Sequence, residues 1–426
     1  MVLKDKKTEI IYHQGVNTIG GTNIEIIYDD SHIFFDLGTE FRPTLKLPDE
    51  TYKTLIKNKL IPKLNDFYDE NLDGAPKWEN KFKHSAAFIS HLHLDHTKML
   101  NFVDQRIPIY SSFDTIEILK TLNQSGSFLL PAAKHPQNYM RNIIAAKMYE
   151  PIKIGDITVE LYPVDHDASG AVALFIHTPD KFIVYTGDLR MHGFNPEFTQ
   201  KMLKSAKNCD LLICEGVGVS FPDNNQKDAI SEKELLQSFI NKVNQAKNRP
   251  IVFNTYPGNI ARLINFCNYC PRKIVLTAKR AQLIKKITNK EFLYYYLPNE
   301  EKIEELNPIK EVSYKALLKD KTEFVWQIED NFDKLQPYTL YIHSDAEPLG
   351  DFDPKYQKFL NCLKKHQVEF VALACSGHAT AQELDEIIAG IKPQLLTTIH
   401  SFHPEKLKNP FGKCILVQNG QRLILY

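Results

Sequence analysis

The chain has no excess charge of either sign: 52 Lys and Arg face 52 Asp and Glu, for a formal net charge of zero. That excludes a protein that coats nucleic acid by bulk charge, though not one with a local basic cleft. It has no apolar run of about 18 residues, so no membrane-spanning helix is expected. The opening MVLKDKKTEIIYHQ lacks the apolar stretch of about 7–15 residues that a secretory leader needs, so none is expected. Cysteines are few and scattered, at 209, 214, 267, 270, 362, 375 and 414. Only Cys267 and Cys270 have ligand-like spacing, and neither a second such pair nor an HxxxH partner follows. Their surroundings read as an amphipathic helix, in which small thiols pack. A disulfide scaffold is excluded, and a reducing cytoplasm is the expected location. Internal repeats and low-complexity stretches are also missing.

Histidine, by contrast, is plentiful: 15 residues, and imidazole is the commonest protein ligand for transition metals. At 426 residues the length suits two or three domains.

The first half reads as strands, Thr8–His13, Asn23–Tyr28, His32–Asp36, Ala86–Ser90, Ile107–Tyr110, Ile157–Val164, Ala171–His177 and Phe182–Thr186. A Lys-rich helical stretch, Thr51–Phe67, leads into a long aperiodic segment, with Leu60–Asn80 as a candidate lid at a substrate entrance. Strands and helices alternate too irregularly for a doubly wound fold, so mixed sheets are expected. From Leu211–Cys214 onward a new βαβαβ rhythm begins and reads as a second domain. A strand Glu369–Cys375, a helix Ala379–Ala389 ending at Gly390 and a strand Gln394–His400 follow it.

The strongest chemical signal is His91-Leu-His93-Leu-Asp95-His96, between the apolar strand Ala86–Ile89 and the amphipathic run Thr97–Val103. Alternate residues share a face, so His91 and His93 project together, while Asp95 and His96 at the helix entry aim at a neighbouring position. Three imidazoles and a carboxylate within six residues suit a borderline metal such as zinc. Ser90 beside His91 invites a hydrolase triad, but a histidine committed to metal cannot also serve as its base.

HxHxDH resembles the signature of the metallo-β-lactamase superfamily, and further motifs follow in that family's order. Asp36 in Phe34-Phe35-Asp36-Leu37-Gly38 resembles the aspartate that orients the histidine cluster from behind. His166 in Asp165-His166-Asp167 resembles a metal ligand, and Asp188 in Thr186-Gly187-Asp188 resembles a carboxylate bridging two metals. Glu215, His378 in Ser376-Gly377-His378-Ala379, and His400 are similar to motifs A, B and C of the β-CASP branch, in the ribonuclease J-like form.

The resemblance implies an α/β protein of the α+β type. An αββα metallo-β-lactamase sandwich (residues 1–214 and 366–426) would carry an inserted βαβ-type β-CASP domain at 215–365. It implies two Zn2+, or Mn2+ or Mg2+ in the cell, held by His91, His93, Asp95, His96, His166, Asp188 and His400. The activity implied is hydrolysis of RNA phosphodiesters, exo- or endonucleolytic, by a metal-activated hydroxide. Asp95, His378 and Glu215 would be catalytic, His378 giving the leaving oxygen its proton with Glu215 orienting it. Ser376, Gly377 and Ala379, ahead of a helix start, would bind a substrate phosphate. Motif C as His accompanies RNA-processing members, so single-stranded RNA is the expected partner, with homo-oligomer formation compatible and no membrane.

Single-stranded DNA hydrolysis and a small ester or lactone hydrolase are the alternatives, the latter disfavoured because a small pocket needs no second domain. Lys98 departs from the family's usual Gly and is expected to contact a phosphate or extend into solvent. His343 and His403 match no motif and are expected to be structural.

Overall fold

The computed structural model describes residues 6–40, 42, 45–221 and 231–426. It divides into two compact units, Met1–Asp228 with Gly377–Tyr426, and Ala229–Ser376.

The first unit is built on two seven-stranded sheets. One runs in the spatial order Gln421–Ile424, Glu9–Gln14, Asn23–Tyr28, Ser31–Phe35, His84–Phe88, Ile109–Ser111, Ile144–Ala145. The other runs Lys413–Cys414, Leu395–Ile399, Leu211–Glu215, Phe182–Tyr185, Val172–His177, Ile157–Pro163, Ile152–Ile154. Both are mixed, as the irregular alternation of elements predicts: Ser31–Phe35 is antiparallel to Asn23–Tyr28 but parallel to His84–Phe88. Period-two patterning turns Ile10, Tyr12, Ile24, Ile26, Ile33 and Phe35 of one sheet onto Val159, Leu161, Val172, Leu174 and Ile213 of the other in one buried cluster.

Helices cover the outer face of the second sheet. Ala381–Ile391 starts in a capping box, where Thr380 Oγ accepts from the Glu383 amide at 3.1 Å and Glu383 Oε2 from the Thr380 amide at 2.9 Å. Its Leu384, Ile387, Ile388 and Ile391 stripe packs with Met202 of Pro196–Ser205 on Val184, Leu212 and Leu396. Each such buried side chain stabilises the unit by about 1.5–3 kcal/mol.

Four expectations need correction. The helix anticipated over Thr51–Phe67 is confined to Tyr52–Lys57. Leu60–Asn80 is packed rather than a free lid: Phe67 lies 4.5 Å from the Phe34 ring on the first sheet, and Asp66 accepts from the Lys81 amide at 2.7 Å. The helix anticipated over Ala379–Ala389 begins at Ala381 because the capping box sets its start, and Gly390 lies inside it. The second unit spans 229–376 rather than 215–365. Leu211–Glu215 pairs in parallel with Phe182–Tyr185 and Leu395–Ile399 in the first unit, whereas Glu369–Ala372 pairs with Leu340–Ser344 in the second.

That second unit holds a six-stranded parallel sheet, ordered Leu293–Tyr295, Lys273–Thr277, Phe324–Gln327, Ile251–Thr255, Leu340–Ser344, Glu369–Ala372. Phe239 and Phe266 stack at 3.9 Å beside Phe253 under helices Glu232–Gln245 and Ile260–Tyr269. Between these helices the fully buried Arg262 makes a two-pronged pair with Glu232, at 2.8 and 2.9 Å. Cys267 and Cys270 sit at the end of Ile260–Tyr269, where burial pushes both thiols up and so favours the packing role. His343 is buried between the Tyr341 hydroxyl (3.0 Å) and the Pro348 carbonyl (3.2 Å), a structural position.

On the first sheet, Glu25 is nearly buried and accepts from His13 and His32, both at 2.8 Å. Burial pushes its carboxyl up, but the two imidazoles more than offset this and hold it at about 2, against an ordinary 4.5. A depressed folded-state pKa stabilises above the unfolded value and is lost as pH falls through the folded one. Glu25 therefore contributes up to about 3 kcal/mol above pH 4.5, lost between about pH 4.5 and 2. Denaturant titration across that window should show a shallower acid slope for Glu25→Gln than for the parent; an identical slope refutes the assignment.

Candidate metal centre

The strand His84–Phe88 delivers His91–His96 to the end of the first sheet, where the glycine turns grip it. The Gly21 and Thr22 amides donate to the Asp95 carbonyl at 3.0 and 3.2 Å. A Cβ on Gly38 would stand 1.5 Å from that same oxygen, so no larger residue fits.

Behind this loop sits Asp36, whose backbone is left-handed (φ 59°), a strained state for a non-glycine. One of its oxygens accepts from the Ser90 amide at 2.8 Å. The other accepts from Ser90 Oγ at 2.8 Å, from His96 Nδ1 at 2.7 Å and from the Tyr185 hydroxyl. With its proton on Asp36, Ser90 Oγ accepts from His91 Nδ1 at 2.9 Å. His166 Nδ1 donates to the Gly377 carbonyl at 2.5 Å. Three imidazoles thus have Nδ1 tied back, which fixes the tautomer and presents a bare Nε2 lone pair.

Those lone pairs converge. His93 Nδ1 lies 3.1 Å from His91 Nε2 and 3.2 Å from His166 Nε2, and Asp188 Oδ2 lies 3.5 Å from His91 Nε2. His91, His93, His166 and Asp188 form one compact donor group. Asp95, His96 and His400 form a second, with Asp95 Oδ2 at 2.8 Å from His400 Nε2 and 3.6 Å from His96 Nε2. Asp188 Oδ2 reaches both, at 3.2 Å from His96 Nε2 and 3.8 Å from His400 Nε2.

The donor set passes a physical test for divalent ions. His96 Nε2 and both Asp188 oxygens are buried without a hydrogen-bond partner. Such atoms are costly unless a cation completes them. Burial drives His91 down, and His166 to about 3, so both are neutral ligands at neutral pH. Asp188 is held well below the carboxylate range, the surrounding imidazoles outweighing its burial. All seven residues expected as ligands therefore lie in these two groups.

Beside them, His378 Nδ1 lies 3.2 Å from Glu215 Oε1, and Glu215 is held in turn by the Leu189 and Val217 amides at 3.3 and 3.0 Å. Burial pushes His378 down, but Glu215 and then Asp188 raise it to about 10. The expected phosphate cradle is arranged differently. The Ala379 amide donates to the Leu189 carbonyl at 2.7 Å, Gly377 gives its carbonyl to His166, and Ser376 belongs to the second unit. The helix start is filled by its own capping box, so the anion-binding role expected of Ala379 does not hold. Lys98 pairs with Glu50 instead of standing ready for a phosphate, and His403 pairs on the surface with Glu405 at 3.2 Å.

Three contributors escaped the sequence reading. Tyr185 and Ser90 support the site through Asp36, and Asp167 Oδ1 lies 3.2 Å from His166 Nε2. Asp167 flanks a recognised histidine and had a signal; Tyr185, 149 residues from Asp36, had none.

Two sheets with a histidine and aspartate double cluster at their strand ends define the metallo-β-lactamase fold class of hydrolases. Residues 70–227 match the family model for the β-lactamase superfamily domain. The chain is 24% identical to Ribonuclease J of Mycoplasma pneumoniae over 98% of its own length and 74% of that protein's. It is 22% identical to Ribonuclease J 1 of Streptococcus pyogenes, over 93% and 69% respectively. A crystal structure of a protein of unknown function from Enterococcus faecalis V583 superposes with a TM-score of 0.93 at 48% identity, covering 98% of this chain and all of that one. The chain thus shares the fold and the donor pattern of the metallo-β-lactamase superfamily and is similar along nearly its whole length to ribonuclease J proteins.

Asp188→Ala should lower bound metal from about two ions per chain to one or fewer by elemental analysis. Chelation should lower the melting temperature of the parent and re-addition of metal restore it. A parent that holds no divalent ion, or a variant that still holds two, contradicts the assignment.

Proposed function

We propose that this protein hydrolyses RNA phosphodiester bonds with two zinc ions, leaving 5′-phosphate and 3′-hydroxyl ends, on single-stranded substrate. The observation that carries the reading is the shared carboxylate Asp188 between two donor groups, with the His378–Glu215 pair alongside. Five imidazoles and two carboxylates favour a borderline cation, zinc ahead of manganese or magnesium. Bound there, the ions supply Lewis-acid polarisation of a phosphoryl oxygen and a hydroxide at neutral pH.

The chain's own residues do the rest. His91 and His166 stay neutral because they are buried, and His91, His96 and His166 are oriented because Ser90, Asp36 and the Gly377 carbonyl hold their second nitrogens. His378, raised to about 10, carries its proton throughout the neutral range and can pass it to the leaving ribose oxygen. Glu215 stabilises that imidazolium and fixes its ring. Asp95, held low by His96 and His400 despite its burial, stays ionised and orients the attacking water. The names of the relatives support RNA as the polymer. With no net charge, attraction must come from the cleft and the ions, so binding should weaken with salt less steeply than for a strongly basic protein. Seven free cysteines suit a reducing cytoplasm, and no helix among the described residues is long and apolar enough to cross a membrane.

The test uses metal-loaded protein with end-labelled single-stranded RNA and matched DNA. The parent should cut RNA in preference to DNA, and Asp95→Ala should abolish cutting. His378→Ala should reduce kcat by about 10²–10⁴ with KM nearly unchanged. Intact RNA with metals loaded, or an Asp95→Ala variant as active as the parent, defeats the proposal.

A further inference from the structure

Two exposed phenylalanines stand where the metal-binding backbone ends. Phe402 follows the ligand His400 by two residues, so its Cα lies within about 7 Å of that of His400. Phe221 follows Glu215 by six. Their rings meet edge to face at 6.0 Å and 88°, yet Phe402 remains 49% and Phe221 44% exposed. Burial in a core therefore does not explain them.

The backbone that presents Phe402 is held from beneath. The Phe402 amide donates to Ser220 Oγ at 3.0 Å, and Ser220 Oγ donates to the Gly216 carbonyl at 3.0 Å. Ser401 Oγ, whose proton goes to Ser220 Oγ at 2.9 Å, accepts from the His403 amide at 3.1 Å. Both hydroxyls are buried. Gly216 lets the two segments close up, since a Cβ there would stand 2.6 Å from Thr398 Cγ2 and 2.9 Å from Ser401 Cβ. The segments carrying Glu215 and His400 are thus stitched together just beyond their chemical residues, and the product of that stitching is an open aromatic face.

We propose that Phe402, braced edge-on by Phe221, is a stacking platform for a nucleobase next to the scissile phosphate. Every base has a π face, so such a platform fixes the strand without reading its sequence. It favours unpaired RNA, because a base in a duplex is already stacked on its neighbours. The proposal rests on the nuclease reading above, and Phe402 acts as a positioning residue that touches the base but not the reacting atoms.

The experiment is a double-mutant cycle on metal-loaded, full-length protein, using single-stranded RNA with an abasic residue at successive positions around the cut. With the parent, one abasic position should raise KM about ten-fold. Phe402→Ala should carry the same rise on unmodified RNA and show no further rise when that base is removed. Phe402→Trp should restore the parent KM, and circular dichroism should show both variants folded. As a control, Phe411→Ala removes an exposed ring already covered by Lys392 at 5.4 Å and should leave KM unchanged. If the parent leaves RNA intact, the nuclease reading falls and the platform with it. If the parent cuts RNA but the losses from Phe402→Ala and from the abasic position are additive, only the platform falls.

Discussion

The buried carboxylate of Asp188 is the constraint on which the rest of the first unit turns. Both its oxygens lack hydrogen-bond donors and its side chain is almost wholly buried. A lone carboxylate in such a place would be pulled toward protonation. It stays ionised because four imidazoles from three separate chain segments surround it, at His91, His96, His378 and His400. Three of those imidazoles are oriented by a second partner: Ser90 behind His91, Asp36 behind His96 and Glu215 beside His378. Asp36 is the hub of that outer layer, and its strained backbone is tolerated because the Ser90, His96 and Tyr185 contacts over-determine it.

The two-sheet core follows from this need. The loops that carry the two donor groups leave the ends of strands in both sheets: His91–His96 after His84–Phe88, Asp188 after Phe182–Tyr185, His400 after Leu395–Ile399. The shared apolar cluster locks the sheets face to face and so sets the distances between ligands from different loops. Glycines at 38, 216 and 377 appear where loops must pass closer than a Cβ allows, against Asp95, Ser401 and Asp167. The support is therefore distributed: strand register brings residues near, and close-packed loops place them.

Much of the site was legible because its chemistry is written in short motifs. Three imidazoles and a carboxylate in six residues announce a metal whatever the fold, and Asp36, His166, Asp188, Glu215, His378 and His400 sit in recognisable strings at strand ends. Less local features were read poorly. The helix over Thr51–Phe67 shortened because Leu64, Phe67 and Tyr68 are buried by packing on a sheet, with no periodic stripe to announce it. The segment after Lys365 was assigned to the wrong unit because an isolated apolar strand, Glu369–Ala372, does not say which sheet it joins. The phosphate cradle was misplaced because Thr380 and Glu383 cap the helix first and leave Ala379 to a loop contact.

The sequence by itself determined the donor inventory, the strand patterning and the class of chemistry, since these depend on residue type and short-range spacing. Only the tertiary structure decided which histidines gather into each donor group and which nitrogen each presents. It also decided that Tyr185 and Ser90 belong to the site, and that Phe402 stands exposed beside it. These outcomes depend on contacts between residues as many as 305 positions apart, as for Asp95 and His400. No local pattern encodes such a contact, because it arises from how two sheets close on a common core.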